Sequence, residues 1–193
     1  MDLLEAYRRS LAEFVERVDQ IGPDQWSEET PCSDWDVRTL VNHVVGEDRW
    51  SVPLLAGRTI DEVGDRFDGD QLGADPLRTA REAAAQAEIA VTHPGTIDRT
   101  VHLSAGPTPA AEYVQQLLAE HLIHGWDLAV AIGADPRFDP DAVHVCAQWF
   151  AGRVDDYRRD KLVRDAARVP ADADEQDHLL AAFGRDPDWA PGD

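Results

Sequence analysis

Glu120 and His124 stand four residues apart in the run Ala119-Glu120-His121-Leu122-Ile123-His124-Gly125-Trp126-Asp127-Leu128. In a helix that spacing puts a carboxylate and an imidazole one above the other on a single face. At about 100° per residue, Tyr113, Leu117, Glu120, His124, Leu128 and Ala131 fall on one stripe, so the pair sits in the middle of a face meant for the core. An ionised Glu among apolar neighbours is costly unless it is paired or ligates a metal. Two readings follow. The pair is a hydrogen-bonded structural unit, or it is half of a metal site built between helices, with at least one more ligand supplied from elsewhere. His121 lies about 100° round the helix, at the stripe's edge, and ranks second as a candidate.

The elements that must position this pair read as helices. Residues 2–21 carry Leu3, Leu4, Tyr7, Leu11, Phe14, Val15 and Val18 at helical spacing, and Gly22-Pro23 stops them. A second helix is expected from Ser33, capped by that residue with Asp36 in the capping-box position, to about Val52-Pro53. Its apolar stripe is Val37, Leu40, Val41, Val44 and Val45, with His43 on the flank near Glu47. Residues 56–73 read as a polar loop with a helical turn, and Asp75-Pro76 starts an alanine-rich third helix ending near His93. Thr100-Val101-His102-Leu103 alternates polar and apolar between glycines, as an extended segment or small hairpin bordering a pocket mouth. The helix bearing Glu120 and His124 is expected from Thr108 as N-cap, with Pro109 in its first position, to about Gly133. A fifth helix is expected over 140–163 and a short one over 171–184, with Trp189 pinning the tail. The expected fold is all-α: a four-helix bundle with a long second connection, a short extended segment before helix four, and a helical extension over about 134–193, all in one domain.

With 193 residues, 43% of them hydrophobic, the chain can bury a proper core. A net charge of −20 repels phosphate backbones and anionic bilayers, which argues against nucleic acid and membrane partners. No apolar run suits a bilayer span, and the N-terminus lacks a signal-peptide pattern, so a cytoplasmic location is expected. Cys32 and Cys146 are in no metal-binding spacing and are expected as reduced thiols.

If His43 meets Glu120 and His124, two nitrogens and one oxygen face one point. Catalytic zinc sites use three such ligands and keep one position open. The set also suits Ni²⁺, Fe²⁺ and Co²⁺, with zinc the first expectation. Asp127 could take the second ring N–H of His124 and fix its tautomer; as a helix-end residue it could equally bond backbone or solvent. Arg38 and Arg49 are candidate anion contacts, and Trp50 and Trp126 candidate pocket walls, with Glu47 and His121 as further pocket candidates.

Two segments are familiar in combination. Thr30-Pro31-Cys32-Ser33-Asp34-Trp35-Asp36-Val37-Arg38 with Leu40-Val41-Asn42-His43-Val44, and Glu120-His121-Leu122-Ile123-His124-Gly125-Trp126-Asp127-Leu128-Ala129, resemble the DinB-like superfamily. The nearer likeness is to its actinobacterial branch, similar to the N-terminal domain of mycothiol-dependent maleylpyruvate isomerase. Phe183-Gly184-Arg185-Asp186-Pro187 resembles that branch's terminal signature. The resemblance implies a DinB-type four-helix bundle and a divalent metal on His43, Glu120 and His124. It also implies a low-molecular-weight thiol such as mycothiol as co-substrate. The isomerases carry a further C-terminal domain that contributes to the active site, which this sequence does not extend to, so a different reaction is expected.

The leading expectation is a metal-dependent, thiol-using S-transferase or isomerase acting on a small electrophile, as a monomer or homodimer. The alternatives are a non-catalytic or stress-associated module in which the metal staples two helices, and a metal-free helical partner-binding protein.

Overall fold

The computed structural model describes residues 1–192. Helix α1 (Leu3–Val18) is capped by Asp2, whose side chain accepts from the Glu5 N–H, and it buries Ala6, Tyr7, Leu11, Phe14 and Val18. Helix α2 (Val37–Leu55) begins three residues later than the capping pattern suggests. Asp36, with extended backbone, is the N-cap and accepts from the Thr39 N–H at 2.7 Å. Ser33 instead belongs to the turn before it, where the Trp35 N–H donates to the Cys32 carbonyl and the Thr30 hydroxyl to the Trp35 carbonyl. Cys32 and Trp35 of that turn line a cavity.

A Thr59/Glu62 capping box forms the short α3 (Ile60–Val63). Helix α4 (Pro76–Thr92), capped by Asp75, buries Ala80, Ala83, Ala84 and Ala87; these small side chains let it lie close to its neighbours. The extended segment is an antiparallel hairpin of β1 (Thr100–Leu103) and β2 (Gly106–Pro109), with Val101 opposite Thr108. Thr108 is therefore a strand residue. Its hydroxyl donates to the Gly106 carbonyl, and α5 (Ala110–Ile132) starts after Pro109 without a side-chain cap.

The expected long fifth helix is broken. Helix α6 (Pro140–Ala151) stops at Gly152, and α7 (Val154–Arg159) follows. Glycine weakens a helix interior, and Arg153 at the break is held elsewhere, donating from Nε and Nη2 to the two oxygens of Glu112 at 2.7 and 2.6 Å. Helix α8 (Glu175–Ala182) closes the chain, and Trp189 packs on the same core.

Helices α1, α2, α4 and α5 form a closed circuit: α1 packs on α5 and α4, and α2 packs on α4 and α5. The hairpin lies against α2 and α5, while α6 and α8 pack on each other and α6 on α1 and α5. The described residues form a mostly helical fold with one small two-stranded sheet. Among the described residues no helix is long and apolar enough to cross a membrane.

Helix α5 runs through the centre, buried on almost every face. One tight approach makes this possible. A Cβ at Gly125 would stand 2.7 Å from Phe138 Cζ and 3.6 Å from Phe14 Cδ2. Gly125→Ala gains helix propensity but overpacks this seam, and is expected to destabilise the fold by about 1–3 kcal/mol. A denaturant-unfolding midpoint that stays level or rises would show that Phe138 gives way freely.

Candidate metal centre

Helix α2 supplies His43, and α5 supplies Glu120 and His124 one turn apart. His43 Nε2 lies 3.0 Å from Glu120 Oε2, and His124 Nε2 lies 3.1 Å from that same oxygen. The three ligand atoms lie within 4.8 Å of one another. The two imidazoles meet edge to face at 5.1 Å, and Trp35 covers both, with ring centroids 4.6 Å from His43 and 5.5 Å from His124.

The other nitrogen of His124 is equally committed. His124 Nδ1 lies 3.0 Å from Asp127 Oδ2, and the Asp127 side chain is fully buried. Arg185 grips that carboxylate from behind, donating from Nε to Oδ1 at 2.8 Å and from Nη2 to Oδ2 at 2.9 Å. Its Nη2 also lies 3.0 Å from Cys32 Sγ. A carboxylate offers only acceptors. An acceptor at each nitrogen favours a proton on both. Burial by itself lowers its pKa, but the hydrogen bonds with Asp127, Cys32 and Glu120 outweigh that and hold it well above the ordinary histidine value. Burial likewise raises Glu120, yet the bonds from His124 and His43 prevail and keep its carboxyl well below the usual carboxylate range.

This geometry fits a divalent cation. A cation held at Nε2 would stand where a proton otherwise could and would leave Nδ1–H for Asp127, the arrangement in which metal-bound histidines are oriented. The donor set is two imidazole nitrogens and a carboxylate oxygen on one side of a cavity of about 910 Å³. The β-hairpin tip (Leu103, Ser104, Ala105), Ile123, Trp149 and Tyr157 form other parts of its lining, as do Lys161, Arg164 and Arg185.

The remaining sequence candidates are placed elsewhere. His121 faces the core: its Nε2 lies 3.0 Å from Asp48 Oδ1, and its ring packs on Tyr7 and Phe14. Trp126 is 2% exposed in the apolar cluster with Phe138 and Phe150, because a step of two residues from His124 turns it to the opposite side of α5. Trp50 packs edge to face on Phe67, and Arg49 donates to Gln71, so neither reaches the cavity. Arg38 pairs with Asp70. Glu47, one turn along α2 from His43, is not among the lining residues but remains within electrostatic reach of the three candidate ligands: burial first and the charge of Glu120 second raise its pKa, while His43 and His124 lower it. His102 is not among the residues that line the cavity, although its neighbour Leu103 is. Sequence reasoning missed three residues, Cys32, Trp35 and Arg185. All three stood in the quoted motifs, but nothing in their spacing shows that a residue 58 positions after Asp127 returns to hold it.

Residues 5–129 match the model of the mycothiol maleylpyruvate isomerase N-terminal domain. The chain belongs to that family. The matched region carries His43, Glu120, His124 and Asp127, whereas Arg185 comes from beyond it. Two relatives of this family member, the uncharacterized proteins MT0763 of Mycobacterium tuberculosis strain CDC 1551 / Oshkosh and Rv0738 of strain H37Rv, are each 30% identical over 192 residues. The alignments cover 96% of this chain and 98% of each relative. No solved structure matches the chain.

Metal uptake must expel the Nε2 proton of His124, so binding is expected to release a proton and to strengthen as pH rises. Because His124 holds its protons above the ordinary histidine value of about 6.5, competition should persist to neutral pH and above. Zn²⁺ titration calorimetry across the pH range, in buffers of different ionisation enthalpy, reads both effects. Affinity independent of pH would contradict this coupling. Asp127→Asn is expected to weaken metal binding about 10–100-fold.

Proposed function

We propose that this chain is a divalent-metal protein that binds a low-molecular-weight thiol of the mycothiol type and joins it to a small electrophile, as an S-transferase or isomerase. The observation that carries this reading is the convergence of His43, Glu120 and His124 on the wall of an open cavity rather than inside a sealed core. At about 910 Å³ the cavity is in the upper range of small-molecule sites and has room for a thiol and a second reactant. Zinc is the metal the donor set favours first.

A divalent cation with three protein ligands and an open position favours the thiolate, the nucleophilic form of a bound thiol. The chain's own residues supply the rest. Asp127, fixed by Arg185, orients His124. Trp35 packs against both imidazoles and lines the same cavity, so its ring forms part of the wall beside the ligands. Tyr157 and Trp149 give the cavity aromatic walls for the body of a substrate. The circuit of α1, α2, α4 and α5 is read as the family's four-helix bundle, with the site on two of its members. Both cysteines are free thiols, which suits a reducing, cytoplasmic setting.

The test is metal-dependent conjugation. Zinc-loaded protein, incubated with mycothiol and a bimane electrophile, is expected to form the thioether faster than the uncatalysed mixture. His43→Ala and His124→Ala are expected to return the rate to that of the mixture. Conjugation indifferent to metal removal and to both substitutions would overturn the proposal. Because the ligands join α2 to α5, a purely stapling metal would raise the melting temperature without any thiol-dependent reaction, and that result would favour the non-catalytic reading.

A further inference from the structure

Arg49 lines a second cavity, of about 620 Å³, on the surface formed by α2, α3 and the segment after α3. Two more arginines, Arg58 and Arg66, line it as well, beside Val52, Pro53 and Phe67. Glu62 is the one carboxylate in the lining. This is unusual for a chain with 38 acidic and 18 basic residues, in which arginines such as Arg9, Arg38, Arg81, Arg137 and Arg153 each pair with a carboxylate.

The guanidinium groups here are left largely uncommitted. Arg49 donates one N–H to Gln71 Oε1 at 2.8 Å, a neutral partner. Gln71 is itself fixed: its backbone N–H donates to Asn42 and its side-chain amide to the Asp68 carbonyl. Arg58 Nη1 lies 3.7 Å from Glu62 Oε1, a long contact between two exposed side chains, and Glu62 also accepts from the Thr59 N–H. Arg66 has no hydrogen bond or ion pair among the described residues. Phe67 is braced by Trp50, its ring centroid 5.6 Å away in an edge-to-face contact.

We propose that this cavity is a binding site for a small organic anion, with a phosphate or carboxylate head on Arg49, Arg58 and Arg66 and an apolar body against Phe67, Val52 and Pro53. Guanidinium groups match the planar oxygen pairs of both heads. Three arginines against one carboxylate give the lining a positive balance in a chain of net charge −20, so it favours anions that the chain as a whole repels. A volume of this size suits a metabolite-sized ligand. The site shares α2 with His43 but none of the metal ligands, and it stands or falls independently of the thiol chemistry.

The probes are phenyl phosphate, benzoate, inorganic phosphate and uncharged phenol, titrated into the full chain and followed by backbone and arginine Nε–H NMR signals. Phenyl phosphate or benzoate is expected to shift residues 49–67 and the Arg49, Arg58 and Arg66 side chains, more strongly than inorganic phosphate and far more than phenol. Arg58→Ala and Arg66→Ala, both at exposed positions, are each expected to weaken the anion about tenfold, while Arg159→Ala on α7 leaves it unchanged. Shifts confined to the cavity of Lys161 and Arg164, equal binding of phenol, or affinity unchanged in both arginine variants would overturn the proposal.

Discussion

The imidazole of His124 has a carboxylate at each of its nitrogens, and most of the site follows from that constraint. As carboxylates, Glu120 and Asp127 present acceptor oxygens to it, which favours positive charge between them, whether on the ring or on a cation beside it. In a buried setting such a charge is tolerable only with close partners of opposite sign. Here two carboxylates face the His124 ring and one guanidinium, with His43 Nε2 also within hydrogen-bond distance of Glu120. The point where both Nε2 atoms address one oxygen of Glu120 is the candidate place for a cation.

Holding that ring in place requires three parts of the chain that are distant in sequence. Helix α5 provides the one-turn steps from Glu120 to His124 and on to Asp127. Helix α2 lies against it and brings His43, while the turn before α2 folds Trp35 over both rings. The C-terminal segment returns Arg185 to the buried face of Asp127. Since α5 is buried nearly all round, its other sides do different work: His121 turns to Asp48, Tyr7 and Phe14, and Trp126 to the cluster with Phe138. Residues adjacent in sequence to the ligands thus belong to separate environments, the common outcome when a helix is central rather than amphipathic.

The helices and the pair at the centre of the site were legible because periodicity and spacing are local properties. Leu3 to Val18 and the stripe through Glu120 and His124 need only the 3.6-residue repeat to be read. His43 was readable as a candidate from its place beside the apolar stripe, and the family resemblance gave it its partners, since a flanking histidine has no local signal for them. Boundaries were less legible where two local choices competed. Ser33 and Asp36 both suit a helix cap, and the turn held by Thr30 decided for Asp36. Thr108 suits a cap too, but pairing with Val101 claimed it for the hairpin. Arg49 and Trp50, read as pocket residues, lie further along α2 and face Gln71 and Phe67, contacts that exist only once the α2–α4 connection has folded. Arg185 illustrates the same limit at longer range.

The most direct measurement is a crystal structure of metal-loaded protein with anomalous scattering at the metal's absorption edge. The expected result is one peak at about 2.0–2.2 Å from His43 Nε2, His124 Nε2 and a Glu120 oxygen, with the Nδ1 of His124 still on Asp127 and no fourth protein ligand on the cavity side. A peak elsewhere, or none while Glu120 still bridges the two imidazoles, would contradict the assignment of these three side chains to a metal.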